Sequence, residues 1–218
     1  MTSHVIVTRF SVPRLDAATA SRHADRSWLD ERLALFRTWF VPSVDRLGVP
    51  VFLLCSSQSA AYVSAHARDL PWASIVVQDD WYGGWQGAPG QTVTRLDSDD
   101  AVRGDWFEAL DRAPADREVL CTKDFLRLDA RSGRLYSYRR REPSPLAAFR
   151  RGLNPYAHDH KHLEKHCQVH FLKGQYLLQI AHGNNLSNRL PAWWRLDRRV
   201  PRTRLAAFGI DPEAPSMV

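Results

Sequence analysis

At 218 residues the chain has room for one sizeable α/β domain, or at most two small ones. An apolar content of 44% with 25% charged residues excludes collagen-like, disordered and coiled-coil compositions, and no apolar run approaches the ~20 residues that cross a bilayer. The formal charge of +6 comes from arginines interleaved with Asp and Glu rather than gathered in a stripe, so a phosphorylated substrate or an anionic surface is expected and nucleic acid is not.

The amino terminus lacks the basic-then-apolar layout of a signal peptide. Cys55, Cys121 and Cys167 are odd in number and widely spaced, so no disulfide framework is expected and a reducing cytoplasm fits best. Residues 4–10 form a continuous apolar run of the kind found in strands covered on both faces. Helical spacing follows over 27–47 in Trp28, Leu29, Leu33, Phe36, Phe40 and Val44, with Pro42 expected to kink or end the helix. Gly48 and Pro50 punctuate the chain before a second strand, 51–55; residues 56–69 read as a helix and 73–78 as a third strand. This βαβαβ rhythm predicts a mostly parallel, Rossmann-like sheet.

Residues 79–90 interrupt the rhythm with Asp79, Asp80, Trp81, Tyr82, Gly83, Gly84 and Trp85, either a surface on which a sugar or base stacks or a packed loop. A β-branched run, Thr92 to Thr94, then leads into three carboxylates within four positions: Asp97, Asp99 and Asp100. Crowded like charges avoid a strand interior, so the knot belongs at the carboxyl end of a core strand, where open α/β sheets bind ligands. Oxygen ligands held this closely suit Mg2+ or Mn2+; the knot could equally be a solvated turn capping the next helix, 104–110.

The runs 118–128 and 134–139 flank Asp129-Ala130-Arg131-Ser132-Gly133 and predict a late β-hairpin. Between 154 and 171 lie His158, His160, His162, His166, His170 and Cys167; four of the histidines recur every four residues and would share one face of a helix. That pattern is compatible with zinc, although neither the metalloprotease nor the deaminase signature is present, and a basic exposed helix is the commoner outcome. Residues 176–181 form a last apolar strand running into His182-Gly183-Asn184-Asn185; a parallel placement would bring His182 to the rim that carries Asp97 and Asp99. The tail, with Trp193, Trp194 and many arginines, would pack on the body or touch a membrane surface peripherally.

Three of these stretches, Val-Thr-Arg-Phe at 7–10, Thr-Arg-Leu-Asp-Ser-Asp-Asp at 94–100 and His-Gly-Asn-Asn at 182–185, occur in an order that resembles the rhamnosyltransferase family, nucleotide-sugar glycosyltransferases of the GT-A fold with an Asp-x-Asp metal motif. The resemblance spans roughly residues 4–190 and leaves the His-rich stretch and the Arg-rich tail without a counterpart. It implies an α/β, single Rossmann-like GT-A-type domain: residues 1–102 as a nucleotide-binding half with the Asp-x-Asp strand, 103–190 as an acceptor half and 191–218 as a tail. It also implies that Asp97 and Asp99 hold Mn2+ or Mg2+ on the nucleotide diphosphate, with Asp100 supporting them or itself a ligand and His182 completing the shell. Thr8, Arg9 and Arg95, with Asp97, would lie against a dTDP- or UDP-linked donor. In related folds the base that deprotonates the acceptor hydroxyl of a glycan or small molecule in an inverting transfer lies in a late loop before a helix, which points to Asp159, then Glu164. Two other classes could use the same residues: a metal-dependent phosphohydrolase, and a non-catalytic protein that binds an anionic polymer.

Overall fold

The computed structural model describes residues 3–13, 23, 25–83, 85–182 and 198–213. Four strands rich in β-branched and aliphatic side chains build its first half: β1 (Ser3–Ser11), β2 (Val51–Cys55), β3 (Ala73–Val77) and β4 (Gln91–Arg95). They lie parallel in the spatial order β3-β2-β1-β4, as the sequence rhythm predicts. Val5, Ile6 and Val7 in β1 are all buried, which is why this strand carries no polar alternation until Thr8.

The segment between β1 and β2 is helical from α1 (Arg26–Leu35) through a π turn (Phe36–Phe40) and α2 (Val41–Val44) to a 3-10 turn (Asp45–Leu47). Asp25 starts it by accepting from Ser27 N at 2.9 Å. Pro42 does not end the helix. The π turn immediately before it closes Val41 N–H on Phe36 O, so the helical path accommodates a residue with no N–H to give. Gly48, at φ +63, then terminates it in the left-handed region. The expected helix over 56–69 is shorter, α3 (Ala60–His66), because Ser56 and Ser59 bond each other and Ser11 ahead of it.

Past β4 the chain divides between two sheets. It runs through β5 (Ala101–Val102) and α4 (Trp106–Asp111); β6 (Val119–Cys121) then returns to the first sheet. The hairpin β7 (Asp124–Asp129) and β8 (Leu135–Arg139) opens a second sheet, its register running from Asp124↔Arg139 to Leu128↔Leu135. β9 (Ala147–Phe149), the short helix α5 (Leu163–His166) and β10 (Val169–Phe171) belong with the first sheet; β11 (Leu177–Ala181) and β12 (Arg198–Val200) belong to the second. The first sheet thus has the order β10-β6-β9-β4-β1-β2-β3, with β9 alone antiparallel, and the second β12-β8-β7-β11-β5. The protein is a mixed α/β fold with a mostly parallel central sheet.

Two findings differ from the sequence expectations. The expected strand 118–128 is split at Thr122-Lys123, so that β6 and β7 serve different sheets. The His-rich stretch is not one helix: a 3-10 turn, a four-residue helix and a strand follow one another, and Cys167 is already extended at φ −137. Both sheets pack on the first helical segment. Phe36 and Phe40 join Ile6, Phe10 and Leu53 in the main core, while Leu35 and Trp39 face Leu126, Leu178 and Phe208 under the second sheet. Gly84, Gly183 to Asn185, Trp193 and Trp194 lie outside the described residues.

Candidate active site

The strand order reverses between β1 and β4, since β2 and β3 continue on one side of β1 and β4 lies on the other. In open α/β sheets ligands bind beyond the carboxyl ends of the strands at such a reversal. β4 pairs with β1 as far as Val7↔Arg95, and Leu96 N still donates to Val7 O at 3.2 Å. Thr8 and Arg9 of β1 and residues 95–100 after β4 therefore share this edge.

The acidic knot is a turn closed by Asp100 N on Asp97 O at 3.1 Å, and it carries the chain from the first sheet into β5 of the second. Asp99 is buried, and its Oδ2 lies 2.9 Å from His182 Nε2 and 3.3 Å from Arg32 Nη1. Burial works to raise its pKa, but Arg32 and the His182 hydrogen bond outweigh burial and hold the carboxyl at about 2, so it is anionic. Asp100 turns the other way: Oδ1 accepts from Ile180 N at 2.9 Å, and Oδ2 has no hydrogen-bond partner among the described residues. Burial, with Asp99 and Asp97 nearby, pushes its pKa well above the usual carboxylate range. Asp97 is half-buried and is also pushed upward, by burial and Asp99, against the pull of Arg9, Arg95 and Arg32.

Of the four residues expected to hold a metal, Asp99 and His182 are in contact, Asp97 lies in the same turn, and Asp100 is directed to the β11 backbone. His182 follows β11, so it reaches the rim from the second sheet rather than as a further strand of the first. Among the described residues no three His, Cys, Asp or Glu side chains form a metal cage. An anionic carboxylate oxygen and an imidazole nitrogen 2.9 Å apart do fit a shared cation. Adjacent octahedral ligands at 2.0–2.1 Å lie ~3 Å apart, and Mg2+-like ions draw their remaining ligands from water and substrate phosphate.

The Arg9 guanidinium lies 3.4 Å from the Trp81 ring centroid and 4.3 Å from that of Tyr156, and Nη1 donates to Trp81 O at 3.3 Å. Trp81 of the interrupting loop is thus a stacking partner, though for Arg9. Arg95 is 4% exposed and donates from Nη1 to Pro155 O (2.7 Å) and His158 O (3.2 Å). Its Nη2 and the Thr8 hydroxyl are buried without partners among the described residues. Asp159 caps the following 3-10 turn, its Oδ1 accepting from Lys161 N at 3.1 Å. Burial tends to raise its pKa, but the Lys161 N–H, His160, Lys161 and Arg95 together lower it. Since Arg95 holds His158 O, Asp159 belongs to the loop bordering the site. Glu164 is exposed and lies 3.8 Å from Lys123 Nζ. His158 and His166 stack at 3.9 Å with an 8° interplanar angle.

Arg32 and Tyr156 escaped the sequence reading. Arg32 flanks the apolar stripe of α1, and only the fold sets it against Asp99, 67 positions away. Tyr156 is buried, and its hydroxyl donates to Val7 O at 3.2 Å; nothing in its local sequence marks that contact.

No family model matches this chain, and no curated protein does. Among solved structures it is similar to S. aureus TarS residues 1–349 (12% identity, TM-score 0.45), covering 83% of this chain and 60% of that one. For the same TarS segment in complex with UDP the values are 14%, 0.46, 83% and 61%. For S. aureus TarS they are 13%, 0.45, 83% and 37%. The chain therefore spans less than two thirds of each of these structures. Among the described residues no helix is long and apolar enough to cross a membrane.

Proposed function

We propose that the chain is a metal-dependent glycosyltransferase that moves a sugar from a nucleotide diphosphate to an acceptor hydroxyl with inversion. The observation that carries this reading is the 2.9 Å contact between Asp99 and His182 at the strand-order reversal, with Arg95 and Arg9 beside it. Rhamnose as the sugar, and dTDP or UDP as its carrier, are supported by the sequence resemblance alone. Asp99 and His182, with Asp97 in the same turn, would hold a Mn2+ or Mg2+ ion, which would neutralise the charge that develops on the departing diphosphate.

The protein's own residues do the rest. Arg32 keeps Asp99 ionised. Arg95, fixed by the backbone carbonyls of Pro145, Pro155 and His158, offers to a phosphate oxygen its Nη2–H, which has no partner among the described residues. Asp159 takes the acceptor proton on Oδ2, the oxygen that does not accept from Lys161.

The test is thermal denaturation with dTDP, UDP and GDP, each with and without Mn2+, on the wild type and Asp99→Ala. A ligand that binds only the folded state at 100 times its Kd adds ~2.7 kcal/mol. The expected result is a Mn2+-dependent rise for one nucleotide that is absent in Asp99→Ala. No rise with any nucleotide, or an equal rise in the variant, overturns the proposal.

A further inference from the structure

Helices cover one face of the first sheet, and loops cover the other. On the loop-covered face Val5 and Val7 of β1, Leu54 of β2 and Val93 of β4 meet Trp81 and Tyr156. Side chains alternate along a strand, so Arg9, two residues past Val7, and Arg95, two past Val93, stand on this same face at the carboxyl ends of β1 and β4.

Tyr156 is what the two arginines have in common. Its ring is buried, and the ring centroid lies 4.3 Å from the Arg9 guanidinium carbon and 5.8 Å from that of Arg95. Burial outweighs the pull of both arginines and pushes the phenol pKa up, so the hydroxyl stays neutral and donates to Val7 O at 3.2 Å. The chain around the ring is pinned as well. Asn154 Oδ1 accepts from Tyr156 N at 2.8 Å, while Asn154 Nδ2 donates to Tyr82 O (3.2 Å) and Gly83 O (2.8 Å). Asn154 thereby ties the loop of Tyr156 to the loop of Trp81, whose ring centroid lies 3.4 Å from the Arg9 guanidinium carbon. Arg9 and Arg95 also draw the Asp97 carboxyl toward its anion, against burial and Asp99. A ring face attracts a guanidinium group without engaging its N–H donors, and does so more strongly where water is excluded. The donors are left for oxygens that arrive later, to which guanidinium groups bind in charge-assisted pairs.

We infer that Tyr156 is a positioning residue whose ring holds the Arg9 and Arg95 guanidinium groups ready for one diphosphate. The diphosphate rests on the proposed donor reading; the shared ring rests on the geometry alone. Long arginine side chains lose rotamer freedom when they bind an anion, and side chains already held against a ring have less left to lose. Tyr156 itself carries no proton in this role and touches no reacting atom.

The test titrates the full chain with UDP, dTDP and inorganic diphosphate in the presence of Mg2+, following heat of binding, with urea midpoints measured alongside. Tyr156→Phe keeps the ring and loses the bond to Val7 O, so it should lower the urea midpoint and retain most of the binding. Tyr156→Leu loses the ring face and should weaken the ligand about tenfold. Tyr156→pentafluorophenylalanine has nearly the shape of the Phe variant with the ring quadrupole reversed, so it should weaken binding relative to Phe at a similar urea midpoint even if the Leu chain does not fold. In an Arg9→Gln background the Leu substitution should matter less, since one of the two partners of the ring is gone. A purely structural role predicts instead that binding falls with stability, in the Phe variant as much as in the others. That result, or binding unaltered in both the Leu and the fluorinated variants, overturns the inference and leaves the donor reading standing. Binding of inorganic diphosphate that is lost with the ring face, in a protein that binds no nucleotide, supports the inference and counts against the donor reading. No binding of any of the three by the wild type overturns both.

Discussion

Asp99 Oδ2 and His182 Nε2 lie 2.9 Å apart although 83 positions separate them in the chain. The contact joins the turn that leaves the first sheet to the strand end that leaves the second, and Arg32 of the first helix completes it. Three elements distant in sequence thus meet on one carboxylate oxygen.

That convergence should be visible in acid. With Asp99 held at about 2 in the folded chain and ~3.9 when unfolded, its stabilising contribution is fully present above about pH 4 and lost as pH falls toward 2. The difference amounts to about 2–3 kcal/mol. Asp99→Asn should remove this part of the acid limb, and Arg32→Gln should shrink it. The readout is urea midpoints between pH 2 and 6; an Asn variant with an acid limb as steep as the wild type's would refute the assignment.

Asp100 should behave in the opposite sense. A carboxyl whose folded pKa is raised stabilises most when protonated and costs stability as pH climbs through that pKa. Asp100→Asn keeps an oxygen for the Ile180 N–H and removes a buried charge repelled by Asp99 and Asp97. The variant should melt higher than the wild type at pH 8 and show a smaller difference at pH 5. A lower melting temperature at pH 8 would mean that this carboxylate is ionised and matched by a partner.

These residues also show what local sequence can and cannot reveal. The first four strands are continuous β-branched and aliphatic runs between Gly, Pro and Ser, and their bounds follow from that pattern to within a residue or so. His182 at a strand end was legible; its strand's membership of the second sheet was not, because β11 pairs with β7 some 50 residues earlier. The four-residue spacing of the histidines suggested a helix, but the Asp159 cap and the extended Cys167 limit helical structure to about two turns. Arg32 and the Arg127–Gln179 pair are products of tertiary packing and leave no signature within any window short enough to scan.

The cysteines should separate cleanly by reactivity. Burial pushes the thiols of Cys55 and Cys121 up to about 12, whereas Cys167 is half-buried and raised less. Since the thiolate is the nucleophile, iodoacetamide at pH 8 should alkylate Cys167 alone in the native protein and all three in denaturant. Rapid native labelling of Cys121 would show that β6 opens on the labelling timescale.

Two glycines distinguish backbone strain from lack of space. Gly48 ends the first helical segment at φ +63 with nothing within 4 Å of where a Cβ would stand, so Gly48→Ala should cost only the left-handed penalty, about 1–2 kcal/mol. Gly209 ends the last 3-10 helix (Arg202–Phe208) at φ +74, and there a Cβ would fall 2.5 Å from Pro42 O and 3.2 Å from Arg46 Nε. Pro42 belongs to the α2 turn, whose Val44 is buried in the main core and whose Ser43 hydroxyl accepts from Val102 N of β5, so the turn cannot recede freely and Gly209→Ala should cost clearly more than Gly48→Ala. Parallel urea titrations of the two variants decide the point. Equal losses would mean that the contact between the last helix and α2 yields, and that Leu205 and Phe208 are seated in the second core by their own burial rather than by the backbone approach at Gly209.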